Sequence, residues 1–222
     1  MGMLQDLLTY YNDNSGYLWL QFLRHFLISL YGVLFAALIS IPAGFAIARR
    51  AKMANWLIGL ANVIQTIPSL AMLSILMLGF GLGTTTVVLT VFLYSILPIL
   101  KNTYTGVRNI DAGLIDTAKG MGMNPWQVRL KVELPLSLSV IMGGVRNALV
   151  LAIGITAIGT FIGAGGLGDI ISRGINVADG GAIILAGAVP CAVMAILADL
   201  GLGLLERRLD PLAKNRGSVK GL

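Results

Sequence analysis

Uncharged apolar runs alternate along this chain with short polar stretches rich in Lys and Arg. Positions 26–48 hold no charge, and neither does any position from 53 to 100. A helix crosses the hydrocarbon core of a bilayer in about 20 residues. The first run therefore predicts one span, at about 23–48. The second is too long for one helix and predicts two, at about 56–78 and 84–102, turned at Gly79, Gly81 and Gly83, where repeated glycine favours a break. Two later runs predict spans at about 137–162 and 181–203. The pattern is that of an all-α integral membrane protein with five transmembrane helices in a single domain, 1–222, interrupted by one long polar loop at about 103–136.

Composition agrees with the pattern. Mean hydropathy is +0.84, and charged residues are 12% of the chain, against about a quarter in a soluble domain. The basic residues set the expected orientation, because loops on the cytoplasmic side carry an excess of Lys and Arg. Arg49, Arg50 and Lys52 follow the first span. Lys101, Arg108, Lys119, Arg129, Lys131 and Arg146 lie in or beside the long loop, and Arg207, Arg208, Lys214, Arg216 and Lys220 in the tail. Only Arg24 and Arg173 fall on the other side, so the N-terminus is expected outside and the C-terminus in the cytoplasm. The net charge of +6 then follows from topology. It needs no nucleic acid, for which no stacking platform is interleaved. Cys191 is alone in an apolar run, which excludes a disulfide framework or a cysteine metal cluster. No basic residue precedes an apolar run within positions 1–21, so that stretch is not read as a secretory signal. Tyr10, Tyr11, Tyr17 and Trp19 suit the outer membrane interface, where aromatic rings meet headgroups.

The long loop reads as two short helices. Asp111 is a good N-cap for a helix from Ala112 to about Met121, with Leu114, Ile115, Ala118 and Met121 on one face. Gly122 suits the left-handed residue that ends a helix. Asn124, Pro125 and Gln127 mark a second start as cap, first-turn proline and capping-box partner. That helix is expected to end near Leu134, with Pro135 as a break before the fourth span. Short helices are marginal alone, so the pair packs either on the bilayer surface as a connector or on a partner.

Asp116, Thr117, Ala118, Lys119, Gly120, Met121 and Gly122 are followed, after nine residues, by Val132, Glu133, Leu134 and Pro135. This spacing resembles the Glu-Ala-Ala loop in permease subunits of bacterial ABC importers, with Asp116 for the usual Glu and Thr117 for an Ala. The resemblance implies docking on a cytoplasmic ATPase, which would bind ATP and Mg on its own chain, leaving this one without a cofactor. It also implies an extracytoplasmic substrate-binding protein and a second permease copy or paralogue in the bacterial cytoplasmic membrane. Gln65-Thr66-Ile67-Pro68-Ser69-Leu70-Ala71, and the run from Phe161 through Gly163, Gly165 and Gly166 to Gly168, resemble the osmoprotectant branch. That branch carries glycine betaine, carnitine or choline. Methionine importers share the five-helix outline, so a methionine or other amino-acid permease is the alternative. Only 17 residues follow Leu205, so solute capture is expected on another chain.

Rival classes are poorly served. One His, one Cys and no His-Glu-x-x-His leave no catalytic or metal site to expect, and no phosphate-binding loop supports ATP hydrolysis by this chain. An ion-coupled secondary carrier would usually show an internal repeat and midplane ion sites. Gly163, Gly165 and Gly168 also match a dinucleotide fingerprint, but after a membrane helix rather than a strand. They predict a tight turn at the outer mouth, with Gly166 beside them. Gln65, Thr66, Pro68, Ser69, Asn147, Thr156 and Thr160 are candidates to line a translocation path, or else to bond between helices. Ala152, Gly154, Ala157 and Gly159 favour close helix packing. Asp199 is expected to anchor its helix end beside Arg207 and Arg208, and His25 to sit at the outer interface. Pro42 and Pro190 are expected to bend their helices. Tyr31, Phe35, Phe80, Phe92, Tyr94 and Phe161 show no clustering in sequence.

Overall fold

The computed structural model describes residues 2–209; Lys214, Arg216 and Lys220 lie outside that range. The described chain is helical: α1 (Met3–Asp13), α2 (Ser15–Ile47), α3 (Ala51–Thr66), α4 (Ser69–Phe80), α5 (Thr84–Arg108), α6 (Ala112–Gly120), α7 (Pro125–Val128), α8 (Leu134–Ile158), α9 (Leu167–Ile175) and α10 (Gly181–Leu209). Four helical stretches are long and apolar enough to cross a membrane unbroken, at Ser15–Ile47, Thr84–Arg108, Pro125–Ile162 and Gly181–Arg208. The fifth candidate is α3 with α4, bent by 96°.

The core lies where α2, α5 and α8 meet. Ile28, Val33, Ala36, Val87, Val91, Ile99, Ala148 and Ile153 are buried there, joined by Leu73 of α4 and Leu167 of α9. Lipid tails are as apolar as these side chains, so close packing rather than escape from water drives the helices together. Small residues permit it. A methyl group on Gly32 would sit 2.4 Å from Val91 Cγ1, and one on Gly159 would sit 2.6 Å from Val87 Cγ2. Gly154 makes no such contact and is exposed, so it is not a packing residue within the chain.

Two expectations about helix breaks are corrected. The stretch at 56–78 is not one helix, because Pro68 withholds a backbone N–H and disfavours helical geometry at Ile67, which is extended at φ −71° and ψ 127°. Pro135 breaks nothing. A π-helical turn, Arg129–Glu133, joins α7 to α8, and Leu134 N donates to Arg129 O five residues back. The wider turn makes room for the ring, which in an α-helix would strike the carbonyl four residues earlier. α2 and α10 run as single helices through Pro42 and Pro190.

Candidate functional site

The loop between α5 and α8 is built from its caps upward. Asp111 accepts from Gly113 N at 2.6 Å and starts α6. Gly122, at φ +82°, turns the chain out of α6. Asn124 and Gln127 exchange side-chain and backbone hydrogen bonds, each at 2.9 Å, in a reciprocal capping box. Ala118 is buried within the loop, while Leu114, Met121, Trp126 and Leu130 remain exposed. Asp116 pairs with Lys119 at 3.1 Å on the exposed face, and Thr117 turns its hydroxyl onto Gly113 O. Arg129 stacks over the Trp126 ring at 5.7 Å.

Glu133, only 2% exposed, anchors this loop to the bundle by pairing with Arg49 at the end of α2. Its isolated place beside the Leu-Pro step concealed that role. Leu134 and Pro135 begin α8 directly above it.

The break between α3 and α4 is stitched to α5. Tyr94 donates its hydroxyl to Ile67 O and accepts at its own carbonyl from Gln65 Nε2 at 2.8 Å. Thr66 and Pro68 are exposed and Ser69 is half-buried. Gln65 shares an open groove of about 480 Å³ with Lys101, Asn147 and Asp199. Thr156 does not join them. It is fully buried and its hydroxyl meets Ser29 Oγ at 2.9 Å, a helix-to-helix bond. Thr160 lies half-buried in the 3-10 turn Gly159–Ile162 at the far end of α8.

Asp199 has a different partner from the expected one: Arg146 of α8 donates to it through two nitrogens. Arg146 thus lies within a span rather than beside the loop. Tyr31, Phe35 and Phe92, apart in sequence, line one apolar groove between α2 and α5.

At the other end, Gly163, Gly165 and Gly166 all have positive φ, between +74° and +85°. Gly168 packs so tightly that an added methyl group would lie 2.0 Å from Ala157 O. Gln21 accepts from Gly166 N at 2.7 Å, and His25 Nδ1 accepts from Leu167 N at 3.2 Å. His25 is fully buried, not interfacial, and its Nε2 contacts Ile153 O at 2.9 Å. With Nδ1 accepting, Nε2 carries the proton and donates. Tyr17 and Arg173 both bind Asp169, closing the turn against α2.

Residues 19–211 match the family described as binding-protein-dependent transport system inner membrane component. The chain belongs to this family. It is a multi-pass membrane permease. It is 62% identical over 216 residues to the carnitine transport permease protein OpuCD of Listeria monocytogenes, covering 97% of each. It is 59% identical to the glycine betaine/carnitine/choline transport system permease protein OpuCD of Bacillus subtilis, covering 98% of this chain and 95% of that one. Identity is 41% with the carnitine transport permease protein OpuCB of Listeria monocytogenes, over 95% of this chain and 96% of that one. The fold is similar to that of the MetNI methionine ABC transporter in an inward-facing form, at TM-score 0.77 and 20% identity over 86% of this chain and 95% of that one.

Proposed function

We propose that this permease is the membrane-spanning subunit of an ATP-driven importer for a quaternary ammonium osmoprotectant: glycine betaine, carnitine or choline. The observation that carries the mechanism is the preformed loop, with both helices capped and Leu114, Met121 and Trp126 exposed. An exposed apolar patch rimmed by polar groups marks an interaction site. The positive-inside rule puts this loop in the cytoplasm. There α6 docks on a separate ATPase, which holds ATP and Mg and does the hydrolysis; this chain is non-catalytic. The docked loop moves α8 through the π turn and α2 through the pair of Arg49 with Glu133.

The substrate class rests on the relatives' names. Two different permeases of one Listeria species are both named for carnitine transport, which favours pairing with a paralogue over pairing with a second copy. Five spans are few to enclose a path, so the path runs between the two permeases, past Gln65, Thr66, Pro68, Ser69 and Asn147. A separate binding protein delivers solute at the outer mouth.

Mild-detergent copurification followed by uptake in vesicles tests the reading. An ATPase, a second permease and a binding protein are expected, with uptake strictly dependent on ATP. Uptake that persists without any ATPase would overturn the proposal in favour of an ion-coupled carrier. A recovered binding protein that takes methionine and none of the three solutes would move the substrate to the amino-acid class.

A further inference from the structure

We propose that the groove between α3, α5, α8 and α10 is a transient subsite for the carboxylate of a zwitterionic solute, with Lys101 and Asn147 as its specificity-determining residues. The inference rests on the importer reading above and names chemistry within its path.

The face is singled out by what lipid would not tolerate. Arg146 and Asp199 are 35% and 36% exposed on the side of the bundle. Charged side chains within spans face a bundle interior or an aqueous cavity. The non-helical step at 67–68 lies beside the same groove, and irregular backbone at membrane depth is tolerated only where protein buries it or water lines it. The outer face of α2, by contrast, presents exposed Leu23, Leu27, Leu34 and Leu38.

The charges then assign the ligand's end. Asp199 is bound bidentately by Arg146, which neutralises it. Lys101 has no carboxylate within 4 Å among the described residues, so the groove keeps one uncompensated positive charge. The Asn147 side chain is exposed and makes no hydrogen bond to another described residue. An ammonium and a free amide are donors suited to a carboxylate. No aromatic ring lines the groove, whereas a quaternary ammonium group is best held by an aromatic cage. The aromatic groove is elsewhere: Phe92 and Lys101, nine residues apart on α5, project about half a turn from each other. Counting 1.5 Å per residue, Lys101 stands about 10 Å from the end of α5 and Asn147 about 20 Å from the start of α8, so the groove runs along the helices rather than at their tips. Its volume of about 480 Å³ leaves room for a small solute.

The test uses the full transporter in liposomes, with labelled carnitine and glycine betaine, measuring solute moved and ATP hydrolysed together. Lys101→Gln is expected to leave binding-protein-stimulated ATP hydrolysis within about twofold while lowering solute moved per ATP about tenfold, a change in free energy of about 1.4 kcal/mol. Lys101→Arg keeps the charge and is expected to restore most of the ratio. Asn147→Asp, which sets a carboxylate against the solute's own, is expected to lower it again. A normal ratio in both Lys101→Gln and Asn147→Asp would overturn the inference alone, and so would a loss of hydrolysis in step with uptake. If the unmodified transporter moves labelled choline but neither zwitterion, the inference alone is overturned; if it moves none of the three solutes with ATP, the importer reading fails and the inference falls with it.

Discussion

Gln21 and His25, one helical turn apart on α2, receive the first backbone N–H groups of the turn that opens α9. Both acceptors are buried, so water cannot replace them. His25→Ala should leave Leu167 N–H unsatisfied and cost about 1–3 kcal/mol; a lowered thermal midpoint in detergent is the measurement. Gly168→Ala acts by overlap, since the new methyl group would meet Ala157 O at 2.0 Å. It should cost at least about 1–3 kcal/mol and reduce the folded fraction on size-exclusion chromatography. Gly163→Ala, with open space around it, should cost only the left-handed strain of about 1–2 kcal/mol. A Gly163→Ala protein less stable than Gly168→Ala would contradict this ranking.

The π turn is the element on which the loop depends. It holds one residue more than an α-helical path would, so deleting Lys131 should rotate α7 by about 100° against α8. Trp126 and Arg129 would then leave their present face. ATP-coupled uptake is expected to collapse while the amount of permease in the membrane stays normal; unchanged uptake would show that the register of α7 does not matter. Gly122→Arg addresses the neighbouring corner, where φ is +82° and nothing lies within 4 Å. It should abolish uptake and spare insertion, and normal uptake by that variant would remove the docking assignment from α6. The caps of both loop helices were readable in sequence because Asp111, Asn124, Pro125 and Gln127 act over only a few residues. The π turn was not, because Pro135 reads equally as a break until the chain on both sides is seen to stay helical.

Across the whole molecule, Arg146 and Asp199 tie α8 to α10. Removing Arg146 leaves the Asp199 carboxylate within a span without its ion-pair partner. Arg146→Ala should therefore lower the yield of folded permease, and the exchange of Arg146→Asp with Asp199→Arg should recover part of it. Equal loss in the exchanged protein would mean that position rather than pairing matters. The same tie, with the broken span beside it, gives the bundle one polar flank and leaves the α2 flank apolar.

The sequence by itself determined the all-helical membrane class, the capped loop and the tight glycine turn. Each rests on local rules: run length, cap chemistry and the φ that glycine allows. The 96° bend, the π turn and the partners of His25, Glu133 and Asp199 came only with the tertiary structure. A buried polar atom must find its complement somewhere, and residues 142, 84 and 53 positions apart supply these three. Separation of that order carries no local signal, so which polar atoms meet is decided by how the helices pack.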